Sequence, residues 1–508
     1  MTTISIPRGK YHIWTVGCQM NQADSQRIQT MLDELGWEEA SMEQANLVVL
    51  NTCSVRQAPE EKAHNLLARL QRAKGERDDL LVALMGCMIG NQKTIDALGK
   101  RYPHVDLFMK VEQADILPQF LEERWTPISG AGCLDIDFLP ESVEEDILTE
   151  SPISSAVPTF ATSINRSGKR TVLPMAITPK PGDRIAHYPT KIEPAQASPT
   201  AWLPIVLGCN KVCTYCIVPY RRGRERSRPL DELMMEARSL VEKKGAKELT
   251  LLGQTVEAYG LDLPDQPDLA DLMSNLSEID GLARIRFMTS YPRHMTDSML
   301  ERMAHLPKVC EHLNIPVQSG DDAMLKRMKR GYSLDEYVER IARVRELWPK
   351  ITLSTDVIVG FCGETEDEFQ HTLDLLEKIR FDVVHVAAYS VRPGTVAARW
   401  EDDIPLAEKK RRLHAVEDVQ AEIALELNQS YLGKVEEVMV EDTNISHERR
   451  QLKGRNRANK LVFCPDPSVD ESGDQSNLRP GDFVQVRIER ATAWSLQGEA
   501  VAMEVAQH

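Results

Sequence analysis

Three cysteines crowd one short stretch of this chain, Cys209, Cys213 and Cys216 in the run Gly-Cys-Asn-Lys-Val-Cys-Thr-Tyr-Cys-Ile-Val-Pro-Tyr. The spacing C-x3-C-x2-C puts three thiolates in one loop, and no fourth cysteine follows nearby to close the ligand set. A saturated iron–sulfur cluster only passes electrons, whereas one with an iron free of protein ligands binds and cleaves a substrate there. A zinc knuckle would pair its C-x2-C with a second Cys or His pair downstream, and none lies there. The spacing therefore points to an iron–sulfur centre with an open iron.

A second set of cysteines is dispersed. Cys18 lies in Val-Gly-Cys-Gln-Met-Asn, Cys53 in Asn-Thr-Cys-Ser-Val-Arg and Cys87 in Met-Gly-Cys-Met, at nearly equal intervals. Each follows an apolar run of strand length (Tyr11 to Val16, Leu47 to Asn51, Leu80 to Met85), and helical spacing appears between them, as in Asp24 to Leu35 and Pro59 to Ala73. This alternation predicts a parallel α/β sheet within residues 8–125, and the carboxyl ends of such strands open on one crevice. A lone free cysteine is most often a small buried hydrophobe. Three in equivalent positions predict a second cluster, again with three thiolates and an open iron.

The elements that must position these residues follow from the rest of the pattern. Residues 126–201 lose periodicity and carry Pro, Ser and Thr, which predicts an insertion or linker in which Cys133 is no ligand. Strand and helix alternate again over residues 202–428, with six strand candidates, so a partial (β/α)6 barrel is expected with its chemistry at the strands' carboxyl ends. Gln254, Ser290, Gln318 and Glu364 follow the second to fifth of these strands and are candidates to hold a small molecule or substrate. Residues 431–506 change to short alternating strands, an all-β module of small-barrel size, a shape that often holds single-stranded or looped nucleic acid. Cys310 and Cys464 carry no motif and are read as structural, and Cys362, near the rim of the partial barrel, is read as a packed thiol.

A length of 508 residues requires several cores, so the fold class is a multidomain α/β protein with a small all-β module. The net charge of −16 argues against uniform affinity for nucleic acid, which needs Lys and Arg against phosphate. Local basic runs remain: Arg221, Arg222, Arg224, Arg226 and Arg228 beside the triplet, then Lys326, Arg327, Lys329 and Arg330, then Arg449 to Lys460. Arg222 and Arg224 in the first run, with Arg455 and Arg457 in the last, are candidate RNA contacts. No signal-like apolar start and no run long enough to span a membrane appears, so a soluble cytoplasmic protein, and a monomer, is expected.

With these residues in place, the chain resembles the methylthiotransferase family of radical S-adenosylmethionine (SAM) enzymes over nearly its whole length. The agreement runs from Gly208 to Cys216 into Arg222-Gly223 and Ser227-Arg228-Pro229, then through Leu252-Gly253-Gln254 and Pro316-Val317-Gln318-Ser319-Gly320. It continues in Val359-Gly360-Phe361, Gly363-Glu364-Thr365 and Arg392-Pro393-Gly394-Thr395, and the terminal module looks like a TRAM domain. Gly17-Cys18-Gln19-Met20-Asn21, Asn51 to Arg56 and Gly86-Cys87-Met88 look like the branch that modifies isopentenyladenosine beside the tRNA anticodon, the MiaB type. The branch acting on a ribosomal protein usually carries Gly-Cys-Pro-Lys-Asn and Asn-Thr-Cys-Gly instead. The long insertion, Ile89-Gly90 after Cys87, and Cys362 where proline is common depart from the usual pattern.

The resemblance implies a radical SAM barrel flanked by a cluster-bearing amino-terminal domain and an RNA-binding TRAM barrel. It implies two 4Fe-4S clusters, one on Cys209, Cys213 and Cys216 that cleaves SAM and one on Cys18, Cys53 and Cys87 that delivers sulfur. It implies methylthiolation of adenine C2 at tRNA position 37, with the anticodon stem-loop as partner and flavodoxin or ferredoxin as electron donor. Replacing an unactivated aromatic C–H by C–S needs a radical rather than acid or base chemistry. The alternatives are a threonylcarbamoyladenosine or ribosomal-protein substrate, or a non-catalytic iron–sulfur RNA-binding protein.

Overall fold

The apolar runs read as strands do form strands, and what they build divides into two compact units, residues 1–189 and 190–508. The computed structural model describes residues 8–54, 57–90, 92–125, 161–164, 170–173, 198–288, 291–446, 449–466 and 478–502. Ser290 and Cys133 lie outside them.

In the first unit the order is β1 (Lys10–Thr15), α1 (Gln19–Glu34), β2 (Glu38–Glu39), β3 (Leu47–Thr52), α2 (Gln57–Glu76), β4 (Leu81–Gly86), α3 (Gln92–Arg101), β5 (Leu107–Phe108), α4 (Ile116–Arg124), β6 (Ala161–Ile164) and β7 (Arg170–Leu173). The sheet runs β2-β1-β3-β4-β5-β6-β7. β3 lies inside it between β1 and β4, buried along its whole length because helices cover both faces. Ile28 and Leu32 of α1 pack with Leu117 and Phe120 of α4 against one face, and Leu66, Leu67 and Leu70 of α2 with Ile95 of α3 against the other. Within residues 8–125 every strand pair is parallel, as expected. β6 pairs antiparallel with β5, and β7 with β6, so part of the segment expected to be linker extends the sheet. Otherwise β5 would present unpaired peptide groups as an open edge.

The second unit opens with β8 (Thr200–Pro204), β9 (Val206–Leu207), α5 (Val218–Arg222), β10 (Arg226–Ser227), α6 (Leu230–Glu242), β11 (Glu248–Leu252), α7 (Leu269–Ser277), β12 (Arg284–Phe287), α8 (Asp297–Ala304) and β13 (His312–Asn314). It continues through α9 (Asp322–Arg327), α10 (Leu334–Leu347), β14 (Thr352–Val359), α11 (Glu366–Ile379), β15 (Val383–Ala388) and α12 (Leu406–Gln429). Two parallel triplets, β8-β11-β12 and β13-β14-β15, form the partial barrel; a parallel bridge from Ile285 to Val309 carries the chain between them. Side-chain caps start several helices. Asp268, Ser333 and Thr365 accept from the third residue of α7, α10 and α11, and each makes a reciprocal capping box.

The last five strands, β16 (Val435–Ser446), β17 (Arg449–Asn456), β18 (Leu461–Pro465), β19 (Phe483–Ala491) and β20 (Leu496–Ala502), close a barrel in the order β16-β17-β18-β20-β19. The expected strands did not include β17, whose charges hide its alternation. Leu452, Gly454 and Asn456 are buried while the residues between them are more exposed. This barrel docks against the amino-terminal ends of β12 to β14. Arg284 donates to Arg455 O at 2.8 Å and to Glu437 at 2.7 Å, Arg286 to the carbonyls of Asn456 and Arg457, and Thr352 to Ala458 O at 2.8 Å.

Candidate functional site

The cysteine triplet leaves the short strand β9 at a turn that only glycine fits. Gly208 has φ +75°, and a Cβ there would lie 2.2 Å from Arg224 O. Cys209 N then donates to Gly223 O at 3.2 Å, and Cys216 N to Cys213 O at 3.1 Å, which folds the loop back on itself. Thr214 anchors it from outside the motif: its N–H donates to Met328 O at 3.1 Å and its hydroxyl to Arg327 O at 3.0 Å. Burial pushes the Cys209 thiol up to about 11 and the Cys216 thiol up to about 12, with Cys213 adding to both and Cys209 to the second. Bound iron overrides this, because a coordinating thiol loses its proton outright. Among the described residues no three Cys, His, Asp or Glu side chains close around a single ion. Three cysteine thiolates gathered in one loop are the donor chemistry of an iron–sulfur cluster, so the donor set fits one.

Around this loop stands a layer that sequence reasoning missed. The buried Arg330 guanidinium lies 3.5 Å from Cys213 Sγ and 3.3 Å from the Tyr215 hydroxyl, and it donates to Pro316 O and to the Tyr332 hydroxyl. Tyr291 and Tyr332 face it, each ring centroid 5.3 Å away. Lys211 sits 3.1 Å from His294 Nε2 and 4.7 Å from the Tyr291 ring centroid. In the sequence Arg330 ends a basic run that looks solvated. The helical spacing of Met324, Leu325 and Met328, all buried, was the available sign that part of this run turns inward.

The dispersed cysteines stand at the carboxyl ends of β1, β3 and β4, three adjacent parallel strands in the register Thr15↔Asn51 and Thr52↔Gly86. Their loops are knitted by neutral polar groups. Asn21 Nδ2 donates to Val16 O at 2.9 Å and Thr52 O at 3.0 Å, Asn51 Nδ2 to Asn21 O and to the Ser25 hydroxyl, and Ser54 Oγ to Cys87 O at 2.8 Å. Gly17, at φ +128°, passes so close that a Cβ would meet Cys53 Cβ at 2.6 Å. Cys18 is exposed while Cys53 and Cys87 are buried.

The remaining candidates divide. Gln254 is half-buried at the carboxyl end of β11. Gln318 is buried just past β13 with φ +77°, its N–H donating to Asp356 O. Glu364 is corrected as a SAM or substrate contact: its carboxylate accepts from Gly360 N at 2.6 Å and from Arg412 at 2.8 Å, a buried pair that shapes the turn before α11. Two RNA-contact candidates are also corrected. Arg222 is buried. Arg457 donates to Glu311 and to the carbonyls of Pro307 and Val309, so it joins the small barrel to the partial barrel. Arg455 pairs with Glu441 and donates to Asn459 O, whereas Arg224 is exposed. Glu257, just beyond β11, is a further unforeseen feature. Burial raises its carboxyl to about 8, and although the backbone amides of Glu257 and Tyr291 face it, neither oxygen reaches hydrogen-bond geometry.

A parallel partial barrel with a C-x3-C-x2-C loop after its opening strands defines a radical SAM protein, and residues 203–376 match the Radical SAM superfamily. Residues 10–110 match the uncharacterized protein family UPF0004, and residues 429–501 the TRAM domain. The fold is similar to that of the radical SAM methyltransferase TsrM from Kitasatospora setae, with a TM-score of 0.52 over 86% of this chain and 79% of that one at 13% identity. Full-length likeness is more specific. The tRNA-2-methylthio-N(6)-dimethylallyladenosine synthase of Herpetosiphon aurantiacus is 39% identical, with 98% of this chain and 99% of that protein covered. Its counterpart in Roseiflexus sp. is 40% identical over 96% of this chain and 89% of its own length. The chain belongs to the family of tRNA-2-methylthio-N(6)-dimethylallyladenosine synthases, the MiaB type of radical SAM methylthiotransferase.

Proposed function

We propose that the chain carries out the reaction its family is named for, methylthiolating the adenine ring of isopentenyladenosine (dimethylallyladenosine) in tRNA, at C2 of position 37, with two cysteine sites dividing the work. The observation that supports this division is the presence of two three-cysteine arrangements of different origin, one in a single loop and one drawn from three adjacent strand ends. Cys209, Cys213 and Cys216 would hold one 4Fe-4S cluster, and Cys18, Cys53 and Cys87 a second. When bound, the first supplies the electron that splits SAM into a 5′-deoxyadenosyl radical, and the second supplies an open iron for sulfur.

The chain's own residues hold these sites in shape. The Gly208 turn and the Thr214 anchors fix the triplet loop, and Asn21, Asn51 and Ser54 fix the dispersed set. Gln254 and Gln318 remain at the strand ends as contacts for SAM or substrate, with Ser290 as a third. For RNA, exposed Arg224 offers phosphate contact beside the triplet. In the C-terminal barrel the exposed Trp494, on the β19–β20 turn, offers a stacking face. Asn428 stiffens that turn by donating to the carbonyls of Thr492 and Ala493. The anticodon stem-loop is the expected RNA partner and a flavodoxin or ferredoxin the expected donor. A cytoplasmic monomer is expected; among the described residues no helix is long and apolar enough to cross a membrane.

Mass spectrometry of tRNA nucleosides from cells lacking the gene, complemented with the parent or with Cys213→Ala, tests the reading. The methylthio group should return with the parent alone. Its persistence in the deletion strain would eliminate this substrate.

A further inference from the structure

Arg330 is a buried cation that meets no acid among the described residues. Its guanidinium meets Cys213 Sγ, the hydroxyls of Tyr215 and Tyr332, and Pro316 O, and the rings of Tyr291 and Tyr332. None of these contacts is a carboxylate. Other buried arginines are treated differently: Arg228 faces Glu236, Arg284 faces Glu437, Arg286 faces Glu248 and Arg412 faces Glu364. Arginine keeps its proton in proteins, and an uncompensated buried ion is strongly destabilising. The anion for Arg330 must therefore come from whatever the neighbouring thiolate belongs to.

We propose that Arg330 is the built-in counter-ion of the centre held by Cys209, Cys213 and Cys216, and that its charge raises that centre's reduction potential. The inference rests on the reading of Cys213 as a cluster ligand. One electron arrives from an external low-potential flavin or iron–sulfur protein; no bond forms or breaks and no proton moves. The added negative charge is stabilised by a cation already fixed at 3.5 Å from a ligand sulfur, in a surrounding poor in water. Tyr332 and Pro316 aim the guanidinium, and Tyr215, from within the motif, shares it. Arg330 acts through the cluster and touches no reacting atom of the substrate, so it is a positioning residue.

The test uses the full chain carrying Cys18→Ala, Cys53→Ala and Cys87→Ala, reconstituted anaerobically with iron and sulfide so that only the triplet is loaded. Failure to bind about four irons per chain sinks the ligand reading itself, and the inference with it. With iron bound, a redox titration read by electron paramagnetic resonance gives the midpoint. Arg330→Gln should be at least tenfold less reduced at the parent's midpoint, a shift of about 59 mV to more negative potential per tenfold. Arg330→Lys, which keeps a point charge, should fall between. An unchanged midpoint in Arg330→Gln, or equal shifts in the two variants, overturns the proposal. Should Arg330→Gln take up no iron, the metal-free proteins decide. Arg330→Met must then melt above the metal-free parent, since an uncompensated ion has gone; a lower melting temperature makes Arg330 a packing residue and overturns the proposal.

Discussion

The two groups of cysteines are held in place by opposite materials. The triplet loop is local in sequence, and its support is cationic and aromatic: Arg330, Tyr215, Tyr291 and Tyr332. The dispersed site is assembled from three strand ends and laced by the neutral groups of Asn21, Asn51 and Ser54. A site that must accept an electron benefits from a fixed positive charge. One that must hold and release sulfur needs its loops kept in register more than it needs charge. On the proposed division of labour, the difference in support follows the difference in task.

The most decisive way to break this comparison is to remove one ligand from each side. Cys213→Ala should abolish both SAM cleavage and tRNA product, whereas Cys53→Ala should lose product while still releasing 5′-deoxyadenosine. Each should drop bound iron from about eight to about four per chain. Equal phenotypes would erase the division of labour.

A smaller effect is expected from the lacing. Asn21→Ala leaves Val16 O and Thr52 O without their side-chain donor, which should cost about 1–3 kcal/mol in thermal or denaturant unfolding and loosen iron at the dispersed site alone. In the second unit, Arg457→Ala should cost about 1–3 kcal/mol by loosening the small barrel, since Glu311 loses its partner. Trp494→Ala should leave stability almost untouched yet weaken tRNA binding by about 1–3 kcal/mol, measured by filter binding at fixed salt.

A separate effect is one of pH. Glu257 titrates at about 8 in the fold against 4.5 in its ordinary range. The fold prefers its protonated form, so its contribution to stability is whole below about pH 4.5 and drains away as pH rises toward 8. Glu257→Gln should therefore gain melting temperature relative to the parent as pH goes from 5.5 to 8, by about the amount of one titrating group. A constant difference across that range would show that the carboxyl is paired.

Much of this protein was determined by its sequence alone. A thiolate triplet is recognisable because its members are neighbours along the chain, and the strands of both α/β regions are recognisable because parallel strands are continuous apolar runs. Even the dispersed cysteines were legible, since a βα pattern implies which strand ends share a crevice. Only the tertiary structure decided the rest, because charge carries no address in sequence. Arg330, Arg457 and Arg224 look alike in their basic runs, yet one is folded against a cysteine sulfur, one joins the small barrel to the partial barrel, and one stays in solvent. Glu364 and Glu257 likewise follow strands of the same barrel, but Arg412 reaches the first and no hydrogen bond forms to the second. What a polar side chain does depends on the partner that meets it, and that partner is supplied by packing between segments far apart in the chain.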